Sequence, residues 1–128
     1  MTARRRLLGD QVEDTVAGTL ARDGAVIVAR NVRTRAVRGE IDLIALDRGE
    51  LAFVEIKGRR AGAAIGPERA ALAVTAAKRR KLRALARAWL AENRPRVPAN
   101  RGLRFDVVGV TVDADGRVVD WEHVEGAF

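Results

Sequence analysis

Hydrophobic positions recur every four residues at Leu8, Val12, Val16 and Leu20, the stripe of an amphipathic helix over residues 4–22, and Asp23-Gly24 supplies its stop. At about 100° per residue Glu13 falls on the flank of that stripe beside Leu20, whereas Asp10 and Asp14 fall outside it. Glu13 is therefore the acid that faces inward, by default as a boundary carboxylate paired with an arginine. Residues 25–30 form a short β-rich run, followed by a basic loop through Arg33, Arg35 and Arg38. Residues 40–46 and 51–57 read as two further strands, with Arg48-Gly49 as the turn between them. A Gly/Ala-rich loop spans 59–66, and a helical region follows over 67–93, with Thr75 placed to cap its second part. Leu82, Leu85, Ala86, Trp89 and Leu90 make its apolar stripe, and Pro95 and Pro98 punctuate the next loop. Residues 104–112 and 117–124 are the last strands, a hairpin across 113–116. No repeat or internal boundary interrupts the pattern. The order α-β-β-β-α-β-β predicts one mixed α/β domain over 1–128.

Acids are depleted in strands, so Gly39-Glu-Ile-Asp-Leu-Ile and Phe53-Val-Glu-Ile-Lys57 stand out. Alternation puts Glu40 and Asp42 on one face with Ile41 and Leu43 opposite, and Glu55 and Lys57 on one face of the next strand. A two-residue loop at Arg48-Gly49 sets Asp42 across from Glu55 and Glu40 across from Lys57. Cβ atoms of such pairs sit about 4.5–5.5 Å apart. Two carboxylates so opposed destabilise a sheet unless a cation or a proton lies between them. Oxygen ligands without sulfur or clustered imidazole select a hard ion, Mg²⁺ or Mn²⁺, able to polarise a phosphate and lower the pKa of a bound water. Lys57 is placed to stabilise developing negative charge or to position that water.

Composition removes competing chemistries. The chain has no Cys, Tyr or Ser and one histidine, His123, which excludes disulfides, Cys-based zinc, Ser or Cys nucleophiles and a histidine-rich metal cluster within one chain. Five aromatics are too few for a base-stacking platform. No apolar run approaches the roughly 20 residues of a membrane helix, and Arg4-Arg5-Arg6 is followed by no signal-peptide core. The expected address is the cytoplasm, with no membrane partner.

Net charge is +7, unevenly placed: from Lys57 to Arg104 there are 14 Lys and Arg against two acids, Glu68 and Glu92, a net of +12. That run fits either an anionic partner or a solvated helix face. Only Lys57, Lys78 and Lys81 among the 24 basic residues are lysines, and a compact ammonium does not substitute for a guanidinium fork. Lys78 lies in line with Leu82, Leu85 and Trp89, placed for a phosphate or for an ion pair with Glu13 or Glu55.

Gly9-x-x-x-Glu13, Gly39-Glu-Ile-Asp-Leu-Ile, Phe53-Val-Glu-Ile-Lys-x-Arg59, Lys78-Arg-Arg-Lys-Leu82 and Arg104-Phe-Asp-Val-Val108 together resemble the YraN-like proteins of bacteria, across about Gly9 to Val110. That family is placed in the PD-(D/E)xK, or restriction-endonuclease-like, superfamily, alongside Holliday-junction resolvases and transfer-RNA-splicing endonucleases. The resemblance implies a mixed central sheet flanked by helices, with Asp42, Glu55 and Lys57 as the acidic and lysine core and Glu13 as the helix acid beside them. On this reading Asp42, Glu55 and the Ile56 carbonyl hold the metal, and Glu13 supports a ligand or a second ion. Arg59, Lys78, Arg79, Arg80 and Arg83 contact a nucleic-acid backbone, largely blind to sequence. The expected function is metal-dependent hydrolysis of phosphodiesters in structured DNA or RNA. A nucleic-acid-binding module with a residual or partner-dependent site, and a basic protein-docking scaffold, are the alternatives. Oligomeric state is left open, a homodimer included.

Overall fold

The computed structural model describes residues 3–62 and 74–128, with side chains from Gly9 onward. Helix α1 (Ala3–Arg22) leads into strands β1 (Val26–Arg33), β2 (Glu40–Asp47) and β3 (Glu50–Arg60); helix α2 (Ala76–Glu92), a short 3₁₀ turn (Arg94–Arg96), and strands β4 (Leu103–Val112) and β5 (Val118–Val124) follow. This is the order expected from the pattern. The 67–73 part of the expected helical region and the 63–66 part of the expected loop lie outside the described residues, and so does the Leu8 side chain. Thr75 caps α2 as anticipated, its side chain accepting from the Lys78 N–H at 3.2 Å.

The five strands make one sheet in the order β1-β2-β3-β4-β5. Neighbours are antiparallel except β3 and β4, which run parallel because α2 lies between them in sequence. Arg48 and Gly49 both have positive φ, 49° and 81°, so they form the two-residue turn whose twist matches a hairpin. The register from Asp47 with Glu50 to Leu43 with Val54 is the one the two-residue loop required, but the ladder stops there, so the expected Asp42–Glu55 rung does not form.

Each face of the sheet buries its own helix. Val12, Val16, Ala17 and Leu20 of α1 pack on Leu43, Ala45, Ala52, Val54, Val108 and Val110. Leu82, Leu85, Ala86 and Trp89 of α2 pack on Ile41, Ile44, Leu51, Phe53 and Val107. Gly58 lets α1 approach β3 closely: a Cβ there would stand 3.3 Å from both Val12 methyl carbons. Glu13, the next residue, faces Asn31 of β1 and Glu40 of β2.

Two differences from the sequence pattern are physical. β1 runs on to Arg33 instead of ending at Arg30, because Val32 and Arg33 take ladder positions opposite Ile41 and Glu40 of β2. Ile41 joins the α2-side cluster and not the face of Leu43. Beyond the last β2–β3 rung β2 is released from β3 and stays paired with β1 alone, so its twist is no longer fixed from both sides.

Candidate functional site

Past the Leu43–Val54 rung, β2 and β3 form a fork. Asp42 turns across it, and its Oδ2 accepts the Ile56 N–H at 2.9 Å. Glu55, on the α2 side of β3, is 6% exposed and faces two lysines. Lys57 Nζ stands 3.4 Å and Lys78 Nζ 3.8 Å from Glu55 Oε1. The other oxygen, Glu55 Oε2, is buried with no hydrogen-bond partner. An orphaned carboxylate oxygen is costly and is the kind of group that a cation or a donor satisfies.

The fork therefore unites four of the expected residues: Asp42, Glu55, Lys57 and Lys78. Burial, then the charge of Glu55, raise the Asp42 carboxyl from 3.8 to about 7 despite the Ile56 N–H bond; Glu13 adds to the rise and Lys78 opposes it. Glu13 stands at the margin, half-buried. Burial raises its pKa, a hydrogen bond from the Asn31 side chain counters this, and Glu40 and Asp10 add to the rise.

Glu40 pairs with Arg33 at 3.1 Å, so the Glu40–Lys57 cross-strand pair drawn from alternation does not form; Lys57 turns to Glu55 instead. Among the described residues no three Asp, Glu or His side chains converge on one point. A hard ion at the fork would rest on two carboxylates and complete its shell with water, phosphate or a main-chain oxygen such as that of Ile56. That is an ordinary arrangement for Mg²⁺.

The other expected contacts scatter. Arg79 donates from Nε to the Val74 carbonyl at 3.2 Å, and its guanidinium lies 5.5 Å over the Phe128 ring. Arg83 lies over both Phe105, at 5.9 Å, and Phe128, at 5.5 Å. Arg80 is exposed on α2, and Arg59 is exposed near the end of β3.

Sequence reasoning missed Asn31. It sits within β1 at φ 51°, a left-handed conformation that few residues besides glycine and asparagine adopt readily, and reaches Glu13. The signal was an Asn in a β-rich run, a residue type that tolerates left-handed backbone. Also unforeseen is a second ionic cluster at the far end of β2, five residues or roughly 17 Å from Asp42 at ordinary strand rise. Asp106, 1% exposed, accepts from Arg104 Nε and Nη2 at 2.9 Å each and from the Gly126 N–H at 3.0 Å, and shares a 2.9 Å hydrogen bond with His123 Nε2. Arg104 Nη2 also donates to Asp47 at 2.9 Å. Burial alone would raise Asp106; the bonds with His123, Arg104 and Gly126 hold it below the usual carboxylate range. The charges of Arg104 and Asp106 are matched within that cluster, which makes it a structural clamp, whereas the fork holds an unpartnered carboxylate oxygen.

Comparison with known proteins agrees with the resemblance. Residues 12–110 match the family described as Uncharacterised protein family UPF0102. The chain is 43% identical over 124 residues to a UPF0102 protein of Roseiflexus castenholzii, covering 97% of this chain and 94% of that one. It is 46% identical over 113 residues to a UPF0102 protein of Symbiobacterium thermophilum, covering 88% and 89%. A UPF0102 protein of Chloroflexus aurantiacus is 37% identical over 127 residues, covering 99% and 97%.

Proposed function

The chain belongs to the UPF0102 family, and on that premise we propose that it hydrolyses phosphodiester bonds in structured DNA or RNA with a bound Mg²⁺ or Mn²⁺, as a nuclease of the PD-(D/E)xK type. The observation that carries this reading is the pair Asp42 and Glu55 at the fork, with Glu55 Oε2 buried and unpartnered. The donor set fits a hard divalent ion: two carboxylates and a main-chain oxygen, all oxygen donors with no sulfur. When bound, such an ion lowers the pKa of its water and polarises a phosphoryl oxygen.

Each residue of the chain has its own task. Asp42 and Glu55 hold the ion, and the Ile56 N–H fixes the orientation of Asp42. Lys57 is 36% exposed, so its ammonium can leave Glu55 for an incoming phosphate or the attacking water. Lys78 holds Glu55 from α2 when Lys57 moves away. Glu13, steadied by Asn31, accepts a proton or orients a ligand from the α1 side.

One observation favours a second reading. The two lysines already balance Glu55, which suits a nucleic-acid-binding module whose site is silent until a partner or substrate displaces them.

Purified protein incubated with labelled linear, flapped and four-way junction substrates, in Mg²⁺ and in Mn²⁺, distinguishes the two. Hydrolysis should require the metal and fall at least a hundredfold in Lys57→Ala, with the melting temperature within a few degrees of the parent. Undiminished cleavage in Lys57→Ala, once contaminating nucleases are excluded, removes the mechanism. Binding without cleavage supports the second reading.

A further inference from the structure

The segment joining β1 to β2 is a short basic loop over residues 34–39, fixed at four points. Thr34 Oγ1 accepts the Val37 N–H at 3.2 Å and donates to the Val37 carbonyl at 2.9 Å. The Glu92 carboxylate, from the last turn of α2, takes the Arg35 N–H with both oxygens at 3.0 and 3.1 Å. Val37 packs into the α2-side core. Gly39, at φ 129°, lies so close under α2 that a Cβ would stand 3.2 Å from Leu85 Cδ1 and from Lys81 Cε.

This backbone is ordered, but its charged ends are not used to order it. Arg35, Arg38 and Lys81 are exposed, and among the described residues no carboxylate oxygen lies within ion-pair distance of their charged groups. Arg33 is 74% exposed and pairs with Glu40. The guanidinium groups of Arg79 and Arg83 behave differently, lying on the rings of Phe105 and Phe128. A stiff loop that holds like charges together pays their repulsion in the free protein. It repays this when an anion arrives, because little order remains to be lost on binding.

The loop also leads directly to the fork. Gly39 precedes Glu40, and Arg38 is four residues from Asp42, roughly 13 Å at strand rise. Guanidinium groups match phosphate oxygens two at a time, and a repeating phosphate chain can meet several of them in succession.

We propose that loop 34–39 together with Lys81 of α2 is a phosphate-docking surface that seats the backbone of a nucleic acid as it runs into the fork at Asp42 and Glu55. The inference rests on the hydrolase reading for what happens at the fork, but its own content is binding and is tested as binding.

The experiment compares three proteins in chelator: the parent, an Arg35, Arg38, Lys81→Ala triple variant, and an Arg87, Arg94, Arg96→Ala triple variant that removes equal charge from the other end of α2. Fluorescence anisotropy with a labelled forked DNA duplex, and with its RNA counterpart, is followed across a salt series, and melting curves confirm that all three fold. Three lost phosphate contacts should flatten the slope of log K against log salt by about 2 to 3 in the loop variant, with affinity at least tenfold weaker at low salt. The control variant should change the slope by less than one. Equal losses in the two variants, no binding by the parent, or displacement of the duplex by polyglutamate at matched charge would overturn the docking surface. Cleavage by the parent in Mn²⁺ is scored separately. A parent that binds through the loop without cutting refutes hydrolysis alone, and one that cuts while the loop variant binds like the parent refutes docking alone.

Discussion

Replacing Asp42 with Asn removes one of two charges at the fork and keeps an oxygen for the Ile56 N–H. Asn stands in for the neutral carboxyl, so the comparison isolates what ionisation of Asp42 costs the fold. The rise from 3.8 to about 7 corresponds to about 4 kcal/mol of preference for the protonated form. Its sign is fixed by where the proton sits. Between pH about 4 and about 7 the folded protein holds a proton that the unfolded chain releases, so parent stability falls as pH rises through that window. Below it, parent and Asp42→Asn should be equally stable. By pH 8, in chelator, the variant should be more stable by up to about 4 kcal/mol, on the order of 10 °C in melting temperature for a domain of this size. Metal binding to the parent works in the opposite direction. Mn²⁺ at a hundredfold excess over Kd returns about 2.7 kcal/mol, and a thousandfold excess, about 4.1 kcal/mol, erases the gap. The assay is a set of melting curves at pH 4, 6 and 8, with chelator and with Mn²⁺. A gap independent of pH would show that Asp42 is not titrating at the fork. Equal metal shifts in the two proteins would show that it does not hold the ion.

Asp106→Ala should cost about 3–5 kcal/mol, because it takes one of three carboxylates from the buried Arg104 and leaves the His123 and Gly126 N–H groups without their acceptor; urea unfolding measures it. Because Asp106 titrates below the usual carboxylate range, its contribution is present at neutral pH and is lost only as pH falls through that lowered value, so the urea midpoint should drop steeply there in the parent and less in the variant. Asn31→Gly should stay within about 1 kcal/mol of the parent, since relief of the positive φ offsets glycine's entropy. Cleavage should nevertheless fall at least tenfold as Glu13 loses its hydrogen bond, and unchanged cleavage would show that Asn31 does not position Glu13.

The fork was legible because two local rules met there. A two-residue turn fixed the register, and acids in otherwise apolar strands marked the face. The order of elements followed from periodicity for the same reason: each helix buries one stripe against one sheet face. What alternation could not show is the end of the ladder at Leu43–Val54, since that depends on β3 leaving β2 while it stays paired with β4. Hence the twist of Ile41, the turn of Asp42 toward Ile56 and the loss of the Glu40–Lys57 pair. The Arg104–Asp106–His123 clamp needs β4 and β5 side by side with the β2–β3 turn, a contact between distant segments. Its one local trace was an Arg and an Asp two residues apart in an apolar strand, the same kind of signal that exposed Asp42 and Glu55. The stacking of Arg79 and Arg83 on Phe128 had no local trace at all.

The Ile56 amide gives the protein a built-in spectroscopic reporter. Its proton points at Asp42 Oδ2, so its resonance follows the charge on that carboxylate, moving as the group titrates near neutral pH and again if the oxygen is drawn to a cation. At Ile56 the pairing of β3 with β2 has ended and the amide is held by the Asp42 carboxylate instead, so its exchange with solvent also reports whether that bond is made. A single backbone cross-peak can thus read the state of the fork without substrate, label or turnover.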